Sequence, residues 1–207
     1  MLTEPIIILA NGSFPKHKIP LNLLTNADTI ICCDGSINNL YKKNIKPSYI
    51  IGDLDSINND MIDKYKKIII KANDQNENDL RKTITWVEKH GIKKAYILGA
   101  TGKREDHTIG NIFSLLQYPN NLELLLYTNH GFFTVINNKK KFNSYIGQQV
   151  SIFSTDPSIK ITTSNLKYNF INDNISSIYS GTLNESIQDV FFVEISHGKL
   201  LIYQTYL

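Results

Sequence analysis

The sequence predicts an α/β fold in two parts: an N-terminal doubly wound, mostly parallel sheet with helices, followed by a C-terminal antiparallel β-sandwich. Two observations carry this. Up to about Thr128, short, mostly apolar runs alternate with segments of helical spacing, as strands buried on both faces and joined by crossover helices do. From Asn129 onward, short strands of alternating apolar and polar residues follow one another with no helix of useful length between them. The expected domains are residues 1–128 and 129–207, with the boundary near Tyr127 to Gly131.

The N-terminal strands are expected at Ile6 to Ala10, Thr29 to Cys33, Tyr49 to Gly52, Lys67 to Ala72, Lys94 to Ala100 and Leu122 to Thr128. Helices are expected between them, over Leu21 to Thr25, Ile37 to Lys43, Asn59 to Lys66, Asn78 to His90 and His107 to Gln117. The C-terminal strands are "FFTVI", "KFNSYI", "QVSIFS", "IKITTS", "LKYNFI", "DVFFVEI" and "LLIYQTY", separated by turns such as "IGQQ", "TDPS" and "SHGK".

Composition narrows the function. With 42% hydrophobic and 20% charged residues the 207-residue chain is an ordinary globular protein, long enough to bury a real core. A net charge of +3 does not argue for nucleic acid, and the densest basic run, "NNKKKF", suits a solvated turn. No run approaches the roughly 20 apolar residues that span a bilayer, and the N-terminus lacks the pattern of a signal peptide. Cys32 and Cys33 are adjacent in a strand, so they point to opposite faces and form neither a disulfide framework nor a zinc site. A cytoplasmic location is expected, with no nucleic-acid or membrane partner.

The chemistry collects at strand ends, where open α/β sheets bind ligands. The first run leads into "ANGSFP", the second into "CDGSINNL", the third into "GDLDSI", the fourth into "ANDQNENDL" and the fifth into "GATGKREDHTIGN". Four consecutive ends therefore carry aspartate: Asp34; Asp53 and Asp55; Asp74 and Asp79; Asp106. Each has a plain structural explanation. Asp34, Asp55 or Ser56 can cap a helix, Asp79 suits a first helical turn, and Arg104 with Asp106 can be a surface ion pair. In an extended segment, however, Asp53 and Asp55 would project to one side. Clustered carboxylates call for a cation, and oxygen-only ligands favour Mg²⁺, so Asp34, Asp53, Asp55 and Asp79 are the candidate metal ligands. The loop with Lys103, Arg104 and His107 opens onto a helix N-terminus and suits phosphate. Together these suggest Mg-nucleotide chemistry, yet neither G-x-x-x-x-G-K-[ST] nor a G-x-G-x-x-G after the first strand occurs.

Taken in order, "CDGSINNL", "GDLDSI", "DQNEND", "GATGKREDHTIGNI", "SNLKYNF" and "GTLNES" resemble the thiamine pyrophosphokinase family. The corresponding family segments are "ADGGANRL", "GDxDSI", "DQxxTD", "GATGGRxDHTLANI", "GLKY" or "GLKW", and "GTSNE". The departures are Ser36, Lys103 and Asn165 in place of glycine, Asn78 in place of threonine, and Leu183 in place of serine. The resemblance implies pyrophosphoryl transfer from MgATP to the thiamine hydroxyl, giving thiamine diphosphate and AMP. It also implies a homodimer with active sites shared between the catalytic domain of one subunit and the sandwich of the other. On this reading residues 1–128 bind ATP and Mg²⁺ and residues 129–207 bind thiamine.

The implied catalytic residues are Asp53, Asp55, Asp79, Arg104 and Asp106, the last orienting or deprotonating the hydroxyl, or else positioning Arg104 or a metal-bound water. The implied binding residues are Asn11, Asp34, Gly35, Gln75, Lys103, His107 and Asn111, with Ser164, Tyr168 and Asn184, and more weakly Glu185, on the thiamine side. Two alternatives are a Mg-dependent phosphohydrolase of the haloacid dehalogenase type using Asp53 and Asp55, and a non-catalytic nucleotide or vitamin sensor.

Overall fold

The computed structural model describes residues 2–57, 59–72, 77–119 and 121–207. It divides into two compact units, Met1–Ile112 with Asn121–Asn129, and Phe113–Asn120 with His130–Leu207.

The first unit is the expected α/β layer. Its strands are β1 (Ile6–Leu9), β2 (Thr29–Cys33), β3 (Tyr49–Gly52), β4 (Ile69–Lys71), β5 (Lys94–Leu98) and β6 (Glu123–Tyr127). They lie in the order β6-β5-β1-β2-β3-β4, every pair parallel. Helices α1 (Lys18–Thr25), α2 (Ile37–Lys42), α3 (Asn59–Tyr65), α4 (Asp79–Lys89) and α5 (Glu105–Ser114, to Ile112 in this unit) accompany the strands, and α4 crosses β3, β2 and β1. All four residues of β1 are buried, as a central strand covered on both faces requires. Strand order reverses between β1 and β5, which makes the carboxyl ends of these neighbours the topological switch point.

Helix boundaries differ from expectation where capping decides them. α1 begins at Lys18, three residues before the expected Leu21, because His17 Nδ1 accepts from the Ile19 N–H and Pro20 fits the first turn, where its missing donor costs nothing. α5 begins at Glu105, not His107, and gives way at its C-terminal end to a 3₁₀ turn, Leu115–Gln117. β5 stops at Leu98, since Gly99 takes a φ of +67°. The two cysteines diverge as alternation predicts: Cys32 joins the cluster with Ile37, Leu40 and Met61, and Cys33 Sγ meets Thr83 Oγ1 of α4 at 3.4 Å. Burial pushes the Cys32 thiol up to about 12 and the Cys33 thiol further, so both stay protonated.

The second unit is antiparallel throughout. One sheet has the order β11 (Asn184–Glu185), β9 (Gln149–Phe153), β13 (Leu200–Thr205), β7 (Gly131–Ile136). The other has the order β10 (Ile161–Ser164), β12 (Val190–Ile195), β8 (Lys140–Asn143). Both contribute to one core, in which Phe142 and Phe191 stack at 4.8 Å among Val150, Ile152, Ile161 and Leu200. The expected strand "LKYNFI" is not one: Leu166 forms a single bridge to Ser186, and Asn165 turns the chain with a φ of +66°. Asparagine is the non-glycine residue best suited to that conformation, which accounts for its standing where the resembled family has glycine.

Candidate active site

The site grows from the carboxyl ends of β1, β2, β3 and β5. The chain beyond β1 is zipped to the chain beyond β5 by Ala10 N–H to Leu98 O (2.8 Å), Gly12 N–H to Gly99 O (2.6 Å) and Ser13 N–H to Thr101 O (2.8 Å). This approach needs glycine at position 12, where a Cβ would lie 2.4 Å from the Gly99 carbonyl oxygen. The pairing brings Asn11 beside the basic loop, and Lys103 Nζ donates to Asn11 Oδ1 at 3.2 Å.

Asp34, the first residue after β2, is 4% exposed with a φ of +37°. Its Oδ2 accepts the Ser56 N–H at 3.2 Å, whereas its buried Oδ1 has no hydrogen-bond partner. Asp34 is thus no helix cap. A buried carboxylate oxygen without a donor is destabilising by more than the roughly 1–3 kcal/mol of a neutral unsatisfied group. One ligand atom each of Asp34, Asp53 and Asp79 lie within 4.8 Å of one another. Asp79 stands in the first turn of α4, behind the cap Asn78, whose side chain accepts the Arg81 N–H at 3.0 Å. Burial raises the Asp79 carboxyl above its ordinary pKa. Lys82, whose Nζ lies 3.1 Å from Asp79 Oδ1, opposes that shift, and the charges of Asp53 and Asp34 add to it. The donor set, all oxygen with one orphaned atom, fits a hard divalent cation.

Asp55 departs from the expected pairing with Asp53. The chain is not extended there: Leu54 has a φ of +77°, and the Asp55 N–H donates to Asp53 Oδ1 at 3.2 Å in a tight turn. Asp55 is exposed and stands outside the three-carboxylate group.

Facing the carboxylates, the β5–α5 loop carries Lys103 and Arg104. Asp106 grips Arg104 through two bonds, of 2.5 and 3.1 Å, and accepts the His107 N–H at 2.8 Å. The Arg104 hydrogen bond first, and then the His107 N–H, hold the Asp106 carboxyl down at about 2. Asn111 braces the loop: its Nδ2 donates to Ala100 O at 2.9 Å and its Oδ1 accepts from Asn78 Nδ2 at 3.2 Å.

A cavity of about 360 Å³ opens among these groups, and Asn11, Asp34, Asp79, Lys103, Arg104, His107 and Asn111 all line it. Gly35 lies beside it, packed so closely that a Cβ would meet Asn11 Nδ2 and Ser56 Cβ at 2.8 Å. Asp74 and Gln75 lie outside the described residues. Sequence reasoning missed Lys82 and the Ser56 N–H. The spacing of Lys82 three residues after Asp79 on a predicted helix was the available signal, whereas nothing local pointed to Ser56.

In the second unit, Tyr168 is 65% exposed, with Lys167 Nζ 6.0 Å from its ring centroid. Asn184 is buried, and its side chain clamps the Tyr168 backbone: Oδ1 accepts the Tyr168 N–H at 3.1 Å, and Nδ2 donates to the Tyr168 carbonyl at 2.6 Å. Ser164 ends β10 opposite Phe192, and Glu185 lies 3.8 Å from Lys167 Nζ.

Residues 21–126 match the family model for the thiamin pyrophosphokinase catalytic domain, and residues 131–203 match that for the thiamin pyrophosphokinase substrate-binding domain. The chain belongs to the thiamin pyrophosphokinase family. Among its relatives, thiamine pyrophosphokinase 1 of Arabidopsis thaliana is 30% identical over 149 residues, 60% of this chain and 55% of the relative. Thiamine pyrophosphokinase 3 of Oryza sativa is 26% identical over 211 residues, covering 87% of this chain and 77% of the relative. The chain thus spans about half the length of the Arabidopsis relatives it matches. The thiamin pyrophosphokinase fold recurs in the crystal structure of thiamine pyrophosphokinase from Bacillus subtilis, with a TM-score of 0.80 at 21% identity over 97% of this chain and 98% of that one. It recurs equally in the yeast thiamin pyrophosphokinase structure, with a TM-score of 0.80 at 19% identity over 97% and 86%. Family membership does not favour the phosphohydrolase and sensor readings, and Asp55 stands outside the three-carboxylate group.

Proposed function

We propose that the protein is a thiamine diphosphokinase, transferring pyrophosphate from ATP to the hydroxyl of thiamine to give thiamine diphosphate and AMP. The observation that carries this reading is the three-carboxylate group, with its orphaned Asp34 oxygen, two of whose members, Asp34 and Asp79, line one cavity with Lys103 and Arg104 in a chain of this family.

Asp34, Asp53 and Asp79 would hold Mg²⁺. The bound ion would neutralise phosphate charge and orient the polyphosphate. Lys103 and Arg104 carry the positive charge that offsets what develops on the α,β-bridging oxygen as AMP departs. Asp106, held near 2 by Arg104, is a poor base at neutral pH, which favours its positioning of Arg104 over its deprotonating thiamine. Asn11, Gly35 and His107 belong to the nucleotide side, with Asn111 bracing it, and Gln75 is assigned there on its motif alone. Asp55, exposed and outside the three-carboxylate group, is left with no metal-holding role in this proposal.

Residues 1–128 form the ATP- and Mg-binding domain and residues 129–207 the thiamine-binding domain in this proposal. The exposed Tyr168 ring is suited to stack on a flat cationic ring, with Asn184 fixing its backbone and Ser164 and Glu185 as polar neighbours. A homodimer with shared active sites is part of the reading. It is supported by the exposed apolar side chains of Tyr168, Ile171, Tyr179 and Leu183, each at least 65% exposed. Among the described residues no helix is long and apolar enough to cross a membrane, and a cytoplasmic location fits the two free cysteines.

The deciding experiment incubates the purified chain with thiamine, ATP and Mg²⁺ and separates the products. Equimolar AMP and thiamine diphosphate are expected. ADP with thiamine monophosphate would refute the bond assignment, and ligand binding without product would refute the activity.

A further inference from the structure

Lys82 lies one helical turn beyond Asp79, with its side chain only 7% exposed and its Nζ 3.1 Å from Asp79 Oδ1. It does not line the cavity, so the ammonium holds Asp79 from behind. A buried lysine loses its hydration and is tolerated only where an opposite charge compensates. Here that charge belongs to a group of three carboxylates, one of which, Asp34, keeps an unpartnered buried oxygen. Three clustered carboxylates and one ammonium carry two negative charges between them, the balance that a single divalent cation neutralises. Without the ammonium the same oxygens would carry three.

We infer that Lys82 is a positioning and specificity-determining residue of this cation site, orienting Asp79 and setting the charge of the group so that one divalent ion is preferred over a trivalent one. The inference rests on the metal reading above, and it concerns a residue outside the cavity lining. A positive charge next to a ligand penalises a trivalent ion more than a divalent one, because the repulsion scales with the charge of the ion.

The test is calorimetric titration of Mn²⁺ and of La³⁺ into the full chain without nucleotide, for the unmodified protein, Lys82→Gln and Lys82→Arg. Removing the charge in Lys82→Gln should raise the La³⁺-to-Mn²⁺ affinity ratio by roughly tenfold or more, whereas Lys82→Arg should keep the ratio near that of the unmodified chain. For a Lys82→Gln chain that folds only with metal present, the ratio is read instead from the rise in melting temperature with each ion, and a raised preference for La³⁺ is again expected. An unchanged ratio in Lys82→Gln overturns the inference while leaving the metal reading intact, as does a chain that stays unfolded with and without metal, since the ammonium would then serve packing alone. An unmodified chain that binds neither ion overturns the metal reading itself, and the inference with it.

Discussion

A Cβ added to Gly52, the last residue of β3, would lie 2.7 Å from the Cβ of Asp34, which follows β2. The missing side chain of one strand end makes room for the carboxylate of its neighbour, and the backbone on both sides leaves little freedom to yield.

Gly52→Ala should therefore push Asp34 out of the carboxylate group. The expected cost is about 1–3 kcal/mol in chemical denaturation, together with a larger fall in Mg²⁺-dependent turnover than that stability loss explains. Gly110→Ala is the contrast: a Cβ there, inside α5, meets nothing within 4 Å. It should stabilise the chain by about 0.5–1 kcal/mol through helix propensity.

Asp34→Asn should separate function from stability. Removing one of three facing charges relieves repulsion in the metal-free protein, so its melting temperature should hold or rise. Turnover should fall at least about a hundredfold, as expected for loss of a group that stabilises transition-state charge. A parallel loss of both quantities would mean that Asp34 is structural.

Tyr168→Ala and Asn184→Ala should share a kinetic signature and differ in stability. Both should raise the KM for thiamine far more than that for ATP, one by removing the ring and the other by releasing its backbone. Only Asn184→Ala should also cost about 2 kcal/mol, because the buried amide bonds the Tyr168 N–H, the Tyr168 carbonyl and the Glu185 N–H. Steady-state kinetics with each substrate varied in turn, beside thermal melts, would check this.

The pH dependence of the Arg104–Asp106 pair has a definite sign. The Asp106 carboxyl is held at about 2 in the folded chain against an ordinary value of 3.8. A depressed folded value means that the pair's contribution is complete above the ordinary value and is lost as pH falls from 3.8 through about 2. Asp106 should therefore put no limb on the rate profile between about pH 5 and 9, and Asp106→Asn should lower turnover by the same factor across that range. A pH-dependent defect would instead restore Asp106 as a proton acceptor.

Much of the fold was legible because burial on both faces leaves a local mark: the short apolar runs at Ile6, Thr29 and Tyr49, alternating with helical spacing, read as covered strands. The acidic strand ends were legible for the same reason, since a sheet's carboxyl edge is known once its strands are. The segment 166–171 was misread because its apolar alternation resembles a strand, while left-handed Asn165 and the side-chain bonds of Asn184 hold it as a loop. Asp55 was paired with Asp53 on the assumption of extended backbone, which the turn at Leu54 breaks.

By itself the sequence determined the alternation of elements, the family motifs and the residue types available for chemistry, because these are written in local pattern and spacing. The tertiary structure decided which carboxylates meet. Asp34, Asp53 and Asp79 are distant in sequence and converge only because β1, β2 and β3 lie side by side and α4 returns across them. It also decided that Lys82 faces Asp79 from a buried position. Convergence and burial depend on long-range packing, and no window of neighbouring residues contains that information.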